Sequence, residues 1–293
     1  MSQPTIAQWI EGARLRTIPL SLAPVIAGSA LAYEQGSFQL DRALLCLFVA
    51  LLLQVGVNYA NDYSDGIKGT DDNRVGPLRL TGSGIAKPEQ VKCAMYISFA
   101  LAGLLGIILV VISGTWWMLI VGVISIAAAW GYTGGKKPYG YLGLGEIFVF
   151  VFFGLVATLG TQYVQSYRIN ELGVVLAISI GLFACAVLVA NNLRDIPTDA
   201  EVGKNTLAVR LGEDNTRIMY LAMMIIPYLL ITIFVIIDTP WLALSYLSIV
   251  LAYQPCKIVL NQAKGLDLIP VLKLTGFVSV AYSLLVTLGL ALN

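Results

Sequence analysis

The chain has 293 residues, of which 58% are hydrophobic and 12% charged, with 18 Lys and Arg against 17 Asp and Glu and no His. A mean hydropathy of +0.81 is typical of a polytopic membrane protein and excludes a soluble domain. The balanced charge gives no reason to expect a nucleic acid partner. The absence of His excludes His-ligated haem, the usual zinc sites and any nucleophile that His activates, so no haem partner is expected.

Nine apolar segments follow one another along the chain, each with the length and flanks of a membrane-spanning helix. Under a cytoplasmic amino terminus, most Lys and Arg fall in connections on the cytoplasmic side, as the positive-inside rule requires. The prediction is an all-α polytopic membrane protein in the inner (cytoplasmic) membrane, with one domain over residues 1–293. The segments are about 17–34, 42–60, 91–112, 115–133, 143–164, 172–190, 218–237, 239–256 and 270–292.

The second apolar segment ends in a strongly polar stretch. Asn58, Asn61, Asp62 and Asp65 are spaced i, i+3, i+4 and i+7, so they share one face of a helix. Carboxylates at the end of a membrane helix are costly unless they are paired, hydrated or metal-bound, and therefore indicate function. Oxygen donors of this kind are those that Mg2+ takes together with substrate phosphates.

A second polar stretch follows the sixth apolar segment with the same spacing, at Asn192, Asp195 and Asp199. Helix capping needs one Asp or Asn, so chance recurrence of two capped helices is the weaker interpretation. An even number of predicted crossings separates the stretches, which places both on the cytoplasmic side. The pattern predicts two parallel halves at about 17–133 and 143–256 and a last helix at about 270–292.

Facing acids with interleaved cations suggest a diphosphate bound through Mg2+. Predicted cytoplasmic loops at 76–84, 132–146 and 199–210 combine cations with Gly, although topology alone also explains Lys136 and Lys137. Because membrane helices wall the site, the organic part of the ligand is expected to be lipid-like. A polyprenyl diphosphate in a central cavity that opens to the cytoplasmic side meets these requirements.

The two polar stretches resemble the two aspartate-rich motifs of the UbiA superfamily of intramembrane aromatic prenyltransferases. The matching motifs are Asn61-x3-Asp65 with a further acid behind it and Asp195-x3-Asp199, and the resemblance covers nearly the whole chain. Segments 16–19, 61–71, 76–79 and 192–204 most closely resemble the branch that prenylates 1,4-dihydroxy-2-naphthoate in menaquinone synthesis.

One departure concerns the third acid of the first motif. Superfamily members that act on 4-hydroxybenzoate carry it four residues after the second acid, where this chain has Gly69, and the next acid here is Asp71. The longer spacing is itself similar to the naphthoate branch. It leaves open whether Asp62 or Asp71 completes the metal site.

The resemblance implies Mg2+-dependent transfer of a polyprenyl group from polyprenyl diphosphate to 1,4-dihydroxy-2-naphthoate, with loss of CO2 and diphosphate, to give demethylmenaquinol. The implied catalytic residues are Asn61, Asp65, Asp195 and Asp199. The implied metal ligands are Asp65, Asp195, Asp199 and either Asp62 or Asp71. Candidates for contacts to the diphosphate or the acceptor are Arg16, Asn58, Lys68, Arg79, Lys137, Tyr139, Asn192, Arg194 and Lys204.

Two other functions share some of these features. A UbiA-type enzyme with a different aromatic acceptor, such as homogentisate, would carry the same acidic motifs. An ion-coupled secondary transporter would also place acids inside the membrane. Such transporters usually have inverted repeats and broken helices near the bilayer midplane, whereas this predicted repeat is parallel and its acids cluster at one end.

Overall fold

The computed structural model describes residues 4–70 and 78–293, and the regular structure within those ranges is helical. Two helical spans contain segments that are not α-helical: residues 150–156 are π-helical, and residues 240–248 form a 3-10 helix that leads into an α-helix beginning at Ile249. The α-helices are α1 (Ile6–Gly12), α2 (Pro19–Glu34), α3 (Leu40–Ile67), α4 (Pro88–Ser113), α5 (Met118–Gly131), α6 (Gly145–Val149), α7 (Ala157–Ser166), α8 (Glu171–Glu201), α9 (Leu207–Ile237), α10 (Ile249–Leu260) and α11 (Ile269–Ala291).

The described residues contain seven helical spans long and apolar enough to cross a membrane, and the all-helical fold class is confirmed. Residues Ile6–Thr17 and Pro19–Glu34, which meet at 49°, count as an eighth if they form one bent span. The number nine is not confirmed, because the predicted segment 115–133 corresponds to the 14-residue helix α5. At 1.5 Å per residue such a helix is about 21 Å long, shorter than the ~30 Å hydrocarbon layer.

Helix α8 lies at the centre of the bundle. In its most apolar window 72% of the residues are buried, against 28% for α9. The π-helical segment packs closely on α8, since a Cβ added at Gly154 would lie 2.5 Å from the Cα of Gly181. Small residues at helix crossings let the backbones of membrane helices approach closely and gain van der Waals contact. The other main pairings are α3 with α4, α8 with α9, and α2 with α7 and α11.

A buried arginine ties three helices together at the end of α3 opposite its acidic residues. Arg42 Nη1 donates to the carbonyl of Val164 on α7 at 2.6 Å and to the hydroxyl of Tyr167 at 3.0 Å. Its Nη2 donates to the carbonyl of Ile112 on α4 at 3.3 Å. Tyr167 in turn donates to the carbonyl of Ser113 at 2.8 Å. These bonds satisfy a charge that would otherwise be costly at this depth.

Candidate active site

A chamber of about 350 Å³ lies among the helices, polar at one end and apolar along its length. Its volume is within the range of small-molecule sites. The apolar walls include Cys46, Ala50, Leu109, Val110, Phe152, Phe153 and Val164. The predicted site residues that line it are Asn58, Asn61, Asp65, Arg79, Tyr139, Asn192, Asp195, Asp199 and Lys204.

The acidic ends of α3 and α8 face each other across one cation. Lys204 Nζ lies 3.5 Å from Oδ2 of Asp65 and 3.8 Å from Oδ1 of Asp199. Arg79 Nη2 lies 3.6 Å from the same Asp65 oxygen. Both polar stretches therefore meet at one place, as the sequence predicts.

Tyr141 connects these charged groups. Its hydroxyl donates to Oδ1 of Asp65 at 2.8 Å. Its ring lies between two ammonium groups, 4.9 Å from Nζ of Lys68 and 4.8 Å from Nζ of Lys204. Cation–π contacts of this kind hold cations without neutralising them. In the sequence, Tyr141 was one of several loop tyrosines with no feature to set it apart.

The carboxylate of Asp195 is hydrogen-bonded by the adjacent residue in the sequence, Arg194. Arg194 Nε donates to Oδ1 of Asp195 at 2.6 Å and Arg194 Nη2 donates to Oδ2 at 2.7 Å, an arrangement of two parallel charge-assisted bonds. Arg194 also donates to Oδ1 of Asn191 at 2.9 Å. Arg194 is absent from the chamber lining, and its predicted contact with the diphosphate stays a prediction.

The predicted amides connect the chamber to other elements. Asn58 donates to the carbonyl of Ala13 at 2.9 Å and to Oγ1 of Thr17 at 3.1 Å, which holds the turn before α2 against α3. Asn61 accepts a hydrogen bond from Oγ1 of Thr133 at 2.8 Å.

Asn192 donates to Oε1 of Glu146 at 3.0 Å, and Glu146 is buried. Sequence reasoning missed Glu146 as a functional candidate. The available signal was an acid at the start of an apolar span, where an uncompensated charge is costly.

Asp62 has a different environment from Asp65. Its Oδ2 accepts the backbone N–H of Leu80 at 2.7 Å and its Oδ1 accepts that of Thr81 at 2.8 Å. The residue is 1% exposed and does not line the chamber. These contacts use both oxygens to fix the loop after α3, so they do not support the predicted role of Asp62 as a metal ligand. Asp71, the other predicted possibility, lies outside the described residues.

We expect Asp62→Asn to lower the free energy of unfolding by about 1–3 kcal/mol, because an amide nitrogen replaces one acceptor of a buried backbone N–H. Thermal unfolding in one detergent measures the change. Asp41→Asn, at the exposed opposite end of the same helix, is the matched control and should unfold like the wild type. Unchanged stability together with lost Mg2+ binding would instead make Asp62 a metal ligand.

Besides Arg194, three further predicted cations lie outside the chamber lining. Lys137 is exposed in the loop before Pro138. Arg16 faces an outer pocket together with Lys273, while Arg14, which was not predicted, lines the chamber. Lys68 donates to the carbonyl of Thr133 at 2.7 Å. Partial desolvation there lowers the pKa of Lys68, although the nearby Asp65 acts in the opposite direction.

Tyr139 lines the chamber through its ring. The ring stacks on Phe148 with centroids 3.8 Å apart, and the hydroxyl donates to the carbonyl of Ala128 at 2.8 Å. Burial raises the pKa of the Tyr139 phenol above its usual value, so the group is a neutral hydrogen-bond donor at physiological pH.

The oxygen donors of the chamber fit a Mg2+ ion that is shared with a ligand. The three chamber carboxylates, Asp65, Asp195 and Asp199, line one cavity. Within residues 4–70 and 78–293, however, no three acidic, His or Cys side chains are grouped closely enough to hold a metal by themselves. Mg2+ commonly takes one or two carboxylates and completes its shell with water and substrate phosphates, which is what this arrangement allows.

Residues 21–266 match the model of the UbiA prenyltransferase family. The chain is 49% identical over 287 residues to a protein of Mycobacterium tuberculosis named 1,4-dihydroxy-2-naphthoate octaprenyltransferase, covering 98% of each chain. It is 39% identical over 293 residues to the Escherichia coli protein of the same name, covering 97% of this chain and 95% of the relative.

Two solved structures share the fold at low sequence identity. A UbiA homolog from Aeropyrum pernix has a TM-score of 0.66 at 15% identity, covering 95% of this chain and 98% of that one. A UbiA homolog from Archaeoglobus fulgidus, bound to DMAPP and Mg2+, has a TM-score of 0.61 at 12% identity and covers 98% of this chain and 100% of that one.

Proposed function

This chain belongs to the UbiA prenyltransferase family, and from that premise we propose that it transfers a polyprenyl group from polyprenyl diphosphate to 1,4-dihydroxy-2-naphthoate in a Mg2+-dependent reaction. The observation that carries the proposal is the meeting of Asp65 and Asp199 across Lys204 at the polar end of an apolar chamber. The names of the most similar relatives support the naphthoate as acceptor.

In this proposal the polar end of the chamber binds the diphosphate and the apolar walls bind the prenyl chain. Lys204 and Arg79 contact phosphate oxygens, and the three chamber carboxylates hold Mg2+. The metal, when bound, neutralises phosphate charge and makes diphosphate a better leaving group. Tyr141 keeps Asp65 and Lys204 in position, and Asn61 and Asn192 fix the two helices that carry the acids.

The chemical step breaks the allylic C–O bond, and its electron pair leaves with the diphosphate. The ring carbon that bears the carboxylate attacks the resulting allyl cation. Loss of CO2 then returns the electron pair of the C–C bond to the ring and restores aromaticity, which gives demethylmenaquinol. The apolar walls exclude water that would otherwise quench the cation.

Two features of the topology stay proposals. We propose an inner-membrane location with a cytoplasmic amino terminus, supported by the distribution of Lys and Arg in the connections. We also propose that residues 17–133 and 143–256 are related halves. In support, α3 and α8 each end in an amide-and-acid stretch, and the two ends lie together.

The product mass tests the proposed function. Purified protein in lipid vesicles is incubated with Mg2+, 1,4-dihydroxy-2-naphthoate and prenyl diphosphates of several lengths. The expected product has gained the prenyl group and lost CO2. Prenylation of homogentisate or another acceptor, with no reaction of the naphthoate, would overturn the choice of acceptor and leave the prenyltransferase class intact.

We expect Gly122→Phe to reduce turnover of long-chain donors about tenfold to a hundredfold relative to a short donor, because the ring displaces the prenyl chain from the apolar walls. Gly122 lines the chamber, and no atom lies within 4 Å of an added Cβ, so the substitution projects into open space. Turnover of paired short and long donors measures the effect. Gly103→Phe, outside the lining, is the control, and equal losses in both variants would contradict the prediction.

A further inference from the structure

A second pocket lies on the outside of the bundle, between the turn that follows α1 and the first part of α11. We call it the outer pocket, and its polar lining consists of Arg14, Arg16, Lys273 and Glu11. Three cations therefore face one acid. Within the described part of the chain, Arg16 and Lys273 take part in none of the ion pairs. The site carries net positive charge that the protein leaves uncompensated.

The surroundings of the outer pocket are apolar and face outward. Ile6 and Ile10 on α1 are 79% and 47% exposed, and Phe277 on α11 is 45% exposed. Lys273 Nζ lies over the Phe277 ring at 5.5 Å from its centroid. A short helix with exposed apolar residues beside basic ones is typical of a segment that lies in the membrane interface. The pocket therefore opens where lipid headgroups are found.

The outer pocket shares a wall with the chamber. Arg14 lines both cavities, and on α11 Leu272 faces the chamber while the adjacent Lys273 faces the outer pocket. Arg14 has the left-handed backbone conformation, with φ 56° and ψ 59°, which is uncommon for a residue other than glycine. Thr17 Oγ1 donates to the Arg14 carbonyl at 2.8 Å and helps to hold this turn. The wall between the two cavities therefore includes a turn whose backbone, at Arg14, has a sparsely populated conformation.

We propose that the outer pocket binds the phosphate headgroup of an anionic phospholipid from the surrounding leaflet. Arginine forms paired charge-assisted hydrogen bonds with phosphate oxygens, and basic pockets between membrane helices are suited to anionic headgroups. The prenyl donor fits less well, because a diphosphate of its charge is best held with Mg2+ and the pocket lining contributes one carboxylate, Glu11. The proposal rests on the membrane location and not on the proposed acceptor.

A bound headgroup would neutralise Arg16 and Lys273 and connect the turn at Arg14 to α11. Any ligand that binds the folded protein raises its stability according to its concentration and affinity. Phosphatidylglycerol should therefore raise the melting temperature of the protein above that in phosphatidylcholine alone. This rise in melting temperature should be lost when Arg16 and Lys273 are replaced.

The test measures phosphatidylglycerol retained by the full-length protein in phosphatidylcholine nanodiscs, by native mass spectrometry and by the shift in melting temperature. We expect Arg16→Gln/Lys273→Gln to bind phosphatidylglycerol at least about tenfold more weakly than the wild type, because two charge-assisted contacts are lost. The matched control, Lys87→Gln/Lys257→Gln, removes the same charge from exposed positions outside both cavities. It should bind within about twofold of the wild type. Equal losses in both pairs, or no loss in the first, would overturn the proposal.

A second experiment distinguishes between the phospholipid and the prenyl donor as the ligand of the outer pocket. In nanodiscs without anionic lipid, the Lys273→Gln protein should bind polyprenyl diphosphate as the wild type does. A loss of donor binding there would assign the pocket to the donor headgroup and overturn the proposal. If the double variant fails to fold, Lys273→Gln alone, at an exposed position, should still weaken phosphatidylglycerol binding, and an unchanged affinity would count against the proposal. Binding requires no turnover, so failure of the proposed reaction leaves this result readable.

Discussion

Asp65→Asn should reduce prenyl transfer by at least about a thousandfold, a loss of about 4 kcal/mol of transition-state stabilisation. Asp65 is where the two acidic ends converge: it contacts Lys204 and Arg79 through one oxygen and Tyr141 through the other. The amide keeps the shape of the side chain but removes the charge that contacts both cations and that, in the proposed function, would hold the metal. Turnover at saturating donor and acceptor measures the loss.

Folding must be preserved for this result to count. Asp65→Asn should elute as the wild type does in size exclusion and stay folded at the assay temperature, although loss of a buried ion pair lowers its melting temperature. Asp41→Asn, the same substitution at the exposed start of α3, should retain wild-type turnover. Full activity of purified Asp65→Asn would contradict the central role of this carboxylate and, with it, the proposed reaction.

Removal of divalent metal should also lower turnover by at least about a thousandfold, because diphosphate is a poor leaving group without charge neutralisation. The three chamber carboxylates lie beside the cations Arg79, Arg194 and Lys204 and offset their charge, so these cations are largely neutralised before a diphosphate binds. Turnover in excess EDTA measures the effect, and added Mg2+ should restore it.

The control for metal removal is EDTA that has been saturated with Mg2+ beforehand, which should leave turnover unchanged. A second measurement, donor binding without acceptor, should weaken in EDTA if the metal acts on the diphosphate. Undiminished turnover in excess chelator would show that the described cations alone neutralise the leaving group.

The meeting of the two polar stretches could be predicted from the sequence, because helix periodicity and a repeated spacing are properties of the chain itself. The spacing of Asn58, Asn61 and Asp65, repeated at Asn192, Asp195 and Asp199, predicted two faces that open on one side, and Lys204 is found between them. The number of spans was less predictable. Segment 115–133 has the hydropathy of a span, but its helix begins and ends inside those bounds, between turns at 116–117 and 132–133.

The roles of single side chains could not be predicted from spacing. Asp62 and Asp65 lie on the same helical face, yet Asp62 is occupied by N–H groups from a loop 18 residues further along the chain, a contact that no local pattern encodes. Arg14 lines both cavities whereas Arg16 lines the outer pocket, and the left-handed backbone conformation of Arg14 is not encoded by residue spacing. Tyr141 gained its position from a short 3-10 turn, Tyr139–Leu142, which aims it at Asp65.

The buried arginine at the far end of α3 has a consequence for the membrane as a whole. A passage lined by carboxylates and ammonium groups that ran from one face to the other would let protons cross and dissipate a respiratory gradient. Arg42 fastens α3, α4 and α7 together at that end and places a fixed positive charge there, which disfavours entry of cations. Fixed at this end, Arg42 opposes the passage of protons from the acidic end of the bundle to the opposite face.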